Sequence, residues 1–350
     1  MTVIDNFQEY HIDLTKMHEY LPWGGLLYPQ VVRNKDGSLM GFIEYTTIRD
    51  DIPDAVGKEK IDEFPRGWAL WIEQQHFEGE YQRVITLLWQ PHIDKKNQRV
   101  LNTLDDRPLL EPETGKYFVR VLKDLCTDLS ATVFAQILTG EYIFSYLQST
   151  LAGKFCHTDY LQDKKEPLYL DAVLSRDIEF TVFGNKTDKK NDIEINSHLI
   201  SIVTPLGYPD MAVLGTLFKA FRDMDYRFVC RFIFVDEETA KKEMKRYMKD
   251  WCMGRSSVRE FMKKHLINQF NGTYTNSFIF HFTEEEREEK EEYIGRVFEA
   301  IGQTYILENY SRKQCWWGSI PGIHRANQII PLQGVDRLGD LLVFTEEEYV

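Results

Sequence analysis

The sequence predicts an α+β chain: a β-rich N-terminal part with helices, then a ferredoxin-like βαβ-αβαβ arrangement with a mixed sheet. Three observations predict it. "RFVCRFIFVD" alternates, with Phe228, Cys230, Phe232 and Phe234 on one face and Val229, Arg231, Ile233 and Val235 on the other, the period of a strand. Leu122, Leu125, Leu129, Val133 and Ile137 fall on one stripe at helical spacing, as an amphipathic helix requires. In the second half the two kinds of segment interleave as strand, helix, strand, helix, strand, helix, strand, so the middle helix joins two βαβ-like units. A mixed sheet with helices on one face is the expected packing, and that fold decides no function by itself.

The elements follow in order. "GGLLYPQVV" is a short apolar segment, and Asn34-Lys35-Asp36-Gly37 is a turn leading to a strand from Ser38 to Thr47, because Asn, Asp and Gly tolerate left-handed geometry. "WALWIEQQHF" and "RVITLLW" are the next strands. Trp68 and Trp71, three apart in one strand, point to opposite faces, so cover is expected on both. His92 to Gly115 is polar and reads as a loop. Tyr117 to Leu151 reads as helical, broken at Gly140, with "EYIFSYLQSTL" as the second helix. "CHTDYLQDKKEP" is a charged connector and the expected boundary. Three regions result: residues 1–160, a ferredoxin-like unit over 161–325, and a C-terminal linker over 326–350.

In the second half, "SHLISIVTP" is a strand, and Leu214, Leu217, Phe218, Phe221 and Met224 mark a helix. Asp236 suits the N-cap of a basic helix over residues 237–264. "SFIFHF" is a strand, Thr283 with Glu286 forms a capping box, and a helix runs to about Ala300. "TYILEN" is a last strand before "CWWGSIPG".

With 350 residues, 43% hydrophobic and 13% aromatic, the chain is globular rather than disordered. No run approaches the ~18 apolar residues that span a bilayer, and the first residues lack the apolar core of a secretory signal. Residence in the cytosol is the expectation. Five scattered cysteines suit neither a disulfide framework nor a thiolate zinc site. A net charge of −13 disfavours a general nucleic-acid coat. Against it stand nine basic residues between Lys241 and Lys264, opposed only by Glu243, Asp250 and Glu260.

The motifs that carry chemistry are missing. "GNKTDKK" and "LGTLFKAF" fall short of a phosphate loop, and no lysine-bearing helix follows "PWGG". No His-Glu-x-x-His occurs, and His76 and His281 sit in strands as half-buried residues. No nucleophile elbow occurs. Asp50-Asp51 and Asp105-Asp106 are adjacent in loops, unlike two differently tuned carboxylates facing one substrate. Catalytic, cofactor and metal residues are therefore not assigned. The candidate contact residues are Lys241, Lys242, Lys245, Arg246 and Lys249 on the basic helix, with Trp316 and Trp317. A solvated helix face and ordinary core packing are the plain readings of these two groups. An anionic membrane surface, an acidic partner, nucleic acid or, for the tryptophans, a partner groove are the sharper ones.

Several segments together resemble the TrbE/CagE/VirB conjugation ATPases of type IV secretion. They are "LPWGGLLYPQVVRNKDGSLMGFIEY", "GWALWIEQQ", "YQRVITLLWQP", "SYLQSTLAG", "LYLDAVLSRDIEF", "YRFVCRFIFVD" with its helix, and the closing "SIPG", in family order from about Leu14 to Leu342. The resemblance is to the N-terminal region, and in that family a RecA-like ATPase domain follows. No residue of this chain matches the family's catalytic positions. The chain departs from the family between Asp50 and Gly67 and between Gln75 and Glu80, where relatives carry longer insertions.

The resemblance implies a docking and assembly module at the cytoplasmic face of the bacterial inner membrane, peripheral to it. Its implied partners are secretion-channel subunits, a separate ATPase subunit and other copies of itself, with no direct nucleic acid. ATP and magnesium would belong to the family's ATPase domain, and no ATP hydrolysis is expected from this chain alone. The alternatives are an enzyme with an unrecognised site between domains and a nucleic-acid regulator using the basic helix.

Overall fold

Strand β4 (Trp68–Phe77) returns as β5 (Glu80–Trp89) through Glu78 and Gly79, both at positive φ, the two-residue turn whose twist matches its strands. Asn196 and Ser197 make the same turn between β8 (Asn191–Ile195) and β9 (His198–Pro205). The structure is a computed structural model and describes residue 17 and residues 21–46, 68–90, 112–130, 133–157, 170–184, 191–206, 211–234, 272–323 and 332–333.

The opening motif supplies β1 (Trp23–Tyr28), β2 (Val31–Asn34) and β3 (Leu39–Thr46). Its expected turn forms: Asn34 N–H bonds the Ser38 carbonyl at 2.8 Å, and Asp36 Oδ1 accepts from Ser38 N at 2.9 Å. The expected loop up to Gly115 ends earlier, because α1 spans Pro112–Leu129, with proline at the first helical position, where it is tolerated. The helical stripe also stops short. Val133 follows the helix, and Ile137 lies in β6 (Phe134–Ile137), which pairs with the edge of β3. That ladder outweighs a local helical pattern.

Beyond it come α2 (Glu141–Ala152), α3 (Leu170–Ser175) and β7 (Phe180–Gly184). After β9 follow α4 (Met211–Ala220), β10 (Tyr226–Phe234), β11 (Gly272–Phe282), α5 (Arg287–Ala300), β12 (Tyr305–Leu307), α6 (Arg312–Ser319) and β13 (Leu332–Gln333). The expected capping pair is present: Glu286 Oε2 accepts from Thr283 Oγ1 at 2.7 Å and from its N–H at 3.2 Å.

The α+β class is what the structure shows. Strands β12, β9, β11 and β10 lie side by side in that order, with α4 between β9 and β10 and α5 between β11 and β12. This is the split βαβ order. The expected mixed sheet is corrected: every pairing among the described strands is antiparallel. The reason is the interleaving. The parallel strands of each βαβ unit never touch, because a strand of the other unit lies between them.

β10 pairs with β4 over eight residues, from Tyr226↔His76 to Ile233↔Ala69. One sheet therefore runs without a break from β1 to β7. Helices cover both of its faces rather than the one expected. On one face, α1, α4 and α5 bury Leu122, Leu217, Phe218, Phe221 and Phe298 against Trp68, Phe228, Phe278 and Phe280. Rings there meet edge to face, Phe221 and Phe280 at 5.1 Å and 88°, a favoured geometry. On the other, α2, α3 and α6 bury Phe144, Leu147, Leu174, Trp316 and Trp317 against Trp71, Val84, Val229 and Ile279. Trp68 and Trp71 divide between the two cores as the strand period requires.

The sheet also curls. Nine strand spacings would hold β1 and β7 about 43 Å apart if it were flat. Yet α3 packs on β1, and the short link from Ser175 to Phe180 reaches at most about 18 Å. The two ends converge around α2, α3 and α6, and residues of both share one core.

Candidate functional site

The inner layer of that curl is polar at its centre. β4 turns Trp71, Glu73 and Gln75 to one face, and β10 turns Arg227, Val229 and Arg231 to the same face by the strand period. The register sets Arg227 opposite Gln75 and Val229 opposite Glu73. Arg227 Nε meets Glu73 Oε1 at 2.7 Å, both side chains fully buried. Gln75 Nε2 donates to Glu73 Oε1 and Thr150 Oγ1, each at 2.9 Å, and Tyr146 O–H donates to Glu73 Oε2 at 2.9 Å. Burial, and then the Glu73 charge, push the Tyr146 hydroxyl well above its ordinary value, so it stays a donor.

Both arginines also serve helix ends. Arg227 donates to the carbonyls of Thr150 at 3.0 Å and Ser319 at 3.4 Å. Arg231 donates to those of Gly318 at 3.3 Å and Ile323 at 2.9 Å. Thr150 lies in the last turn of α2, and Gly318 and Ser319 end α6. There, carbonyls lack helical partners and the helix dipole favours a cation. Burial lowers Arg231 to about 10, so it remains cationic at neutral pH. The result is a clamp fastening α2, α6 and the segment after α6 to the central strands.

The clamp joins the two motifs that stand furthest apart in the sequence. Trp23 Nε1 of "PWGG" donates to the Pro321 carbonyl of "SIPG" at 2.9 Å. Gly322 has φ +97°, and a Cβ there would lie 2.9 Å from Pro22 Cγ and 3.1 Å from Met40 Sδ. Beside the clamp, His281 is lowered to about 3 by burial first, then by Arg227 and His198. Its ring fills the space next to Gly153, where a Cβ would lie 2.1 Å from Cε1. Burial, then Glu308, raise the Cys315 thiol. A thiol held protonated in this way is not a nucleophile.

A second feature is open. Between the β7–β8 hairpin and the first turns of α5 runs a trough of about 470 Å³. Asp192 bridges Arg287, at 2.9 Å, and the buried Arg312, while Glu291 takes Arg287 at 3.0 Å and the Ser201 hydroxyl. Glu194, Glu284 and Glu288 face the same trough.

Of the residues singled out from sequence, Lys241, Lys242, Lys245, Arg246 and Lys249 lie outside the described residues, as does the whole basic segment. Trp316 and Trp317 are 0% and 2% exposed. Phe180 stacks on Trp316 at 4.7 Å, and the two indoles meet at 4.8 Å and 79°. The structure thus places both rings in the inner core. Sequence reasoning missed Glu73, Arg227 and Arg231 as a set. The available signal was two arginines four apart on one face of an otherwise apolar strand.

Among the described residues no group of His, Cys, Asp and Glu could hold a metal, and no helix is long and apolar enough to cross a membrane. Of the known family models, none matches the chain. Among curated proteins it is similar to the second portion of a probable conjugal transfer protein TrbE of Sinorhizobium fredii, at 26% identity over 232 residues, 58% of this chain and 34% of that one. The match thus spans about a third of the relative's length. Among solved structures, a berberine bridge enzyme variant in complex with (S)-reticuline aligns with 75% of this chain and 42% of that one at 9% identity and a TM-score of 0.29. A likeness so slight carries no argument. The likeness to TrbE is distant and supports a conjugal-transfer relationship.

Proposed function

We propose that this chain is a docking and assembly module of a conjugal-transfer or type IV secretion apparatus, seated at the cytoplasmic face of the bacterial inner membrane. Its partners are channel subunits of that membrane, a separate ATP-hydrolysing polypeptide and other copies of itself. The observation that carries this reading is the likeness to the TrbE conjugal transfer protein.

Two features support a scaffold rather than a catalyst. The buried arginines are bonded to helix-end carbonyls and to Glu73, so their charge is engaged inside the fold. The two halves meet as hydrogen-bonded strands along β4 and β10, where an inter-domain enzyme site would need a cleft. ATP and magnesium do not fit the described residues. None of the described helices follows a glycine-rich loop ending in Lys-Ser or Lys-Thr, the cradle that phosphates require. ATP hydrolysis is accordingly assigned to the partner polypeptide.

The test is co-expression of the tagged chain with inner-membrane transfer subunits and with the separate ATPase, followed by purification in mild detergent. Recovery of at least one in stoichiometric amount is expected. Recovery of neither overturns the reading.

A further inference from the structure

The two terminal strands of the sheet are finished differently. β1 carries two register irregularities against β2, Leu27 and Tyr28 lie against Gly115 of α1, and α3 packs on it. Bulges and covering helices are the usual ways to close an edge. Among the described residues β7 has neither. It pairs with β8 in unbroken register from Phe180↔Ile195 to Gly184↔Asn191. It contains no proline and no charged residue. Among the described residues no strand takes its outer side. Thr181 is exposed and Phe183 is 43% exposed.

What lies beside this edge defines what could pair with it. Phe183 and Leu199 give the trough apolar wall, and Glu194, Glu284 and Glu288 line it as well. Among the described residues these three carboxylates make no ion pair or hydrogen bond, whereas Asp192 and Glu291 are already engaged by arginines. An unpaired strand edge offers a row of N–H and C=O groups that bind main chain whatever its sequence. The carboxylates then select charge: every second side chain of an added strand faces the trough, and a cationic one meets three acids there.

We propose that the outer edge of β7 accepts an extended, basic segment of a partner protein as an added strand, with alternate Lys or Arg side chains entering the trough beside Phe183. A second copy of this strand is a poor occupant, since "FTVFG" brings no cation. The site stands on the edge and the trough alone, whether or not the chain serves in conjugal transfer.

The probe is a fluorescein-labelled peptide of about ten residues alternating Lys and Thr, followed by anisotropy against the full chain. Saturable binding that weakens with salt is expected. The Glu194→Gln/Glu284→Gln/Glu288→Gln variant is expected to weaken it about tenfold, as is N-methylation of alternate peptide amides, which keeps the charge but blocks strand pairing. All three substitutions are on the surface, and circular dichroism confirms an unchanged fold. Replacing Lys186, Lys189 and Lys190 by Gln is expected to leave binding no weaker. Absence of binding overturns the proposal, as does equal binding by the N-methylated peptide or by the triple Gln variant, or a loss with the lysine replacements.

Discussion

The indole N–H of Trp23 donates to the carbonyl of Pro321 across 298 residues of chain, so the first and last recognisable motifs belong to one contact. Trp23→Phe keeps the ring but leaves that buried carbonyl without its donor, at an expected cost of about 1–3 kcal/mol. Gly322→Ala adds a Cβ at positive φ against Pro22 and Met40 and is expected to cost about as much. Urea unfolding of the two single variants and the double variant measures both. Because they act on the same contact, the combined loss should be smaller than the sum.

Glu73 and Arg227 give a sharper case. Removing either partner leaves a charge buried without its mate, so Glu73→Gln and Arg227→Met are each expected to cost about 3–5 kcal/mol. The double variant should be less damaged than the two losses added. Strict additivity in the denaturant cycle would show that the pair is not coupled.

Stability should also carry the signature of His281. Its ordinary value is 6.5 and the folded chain lowers it to about 3. Below pH 6.5 the unfolded chain therefore takes up a proton that the folded chain refuses, and stability falls as pH drops toward 3, by up to about 1.4 kcal/mol per unit from this residue. In His281→Gln that contribution is gone, so the gap in stability between wild type and variant should narrow from pH 7.5 to pH 5. A constant gap would overturn the assignment.

Trp316→Ala separates core from surface directly. A buried indole stacked on Phe180 should cost about 3–5 kcal/mol on truncation. Unchanged thermal unfolding would mean that the ring contributes nothing to the inner core.

Local features were legible in the sequence, and long-range ones were not. Alternation in residues 226–235, the Asn34–Gly37 turn and the Thr283–Glu286 cap are local, and each forms as its residues dictate. Residues 134–137 carry a helical pattern yet form a strand, because their partner β3 lies some ninety positions earlier in the chain, beyond any local signal. The short helix α6 is hidden because "RKQCWWGS" presents no single apolar stripe; it is buried on nearly every side. The clamp is illegible for a related reason. Periodicity shows that Arg227 and Arg231 face one way, but nothing in their surroundings says that Glu73 and two helix ends will meet them.

The single sheet has a consequence for how the protein comes into being. The free side of β4 is covered by β10, roughly 150 residues later in the chain. At ordinary translation speed that is an interval of about 10–30 s, during which a nascent chain carries an open, tryptophan-rich strand. A fragment of residues 1–160 would hold that condition permanently, and is expected to aggregate or to recruit chaperones when expressed alone. Timing at the ribosome, as much as contact in the finished molecule, is therefore a demand that this fold places on the cell.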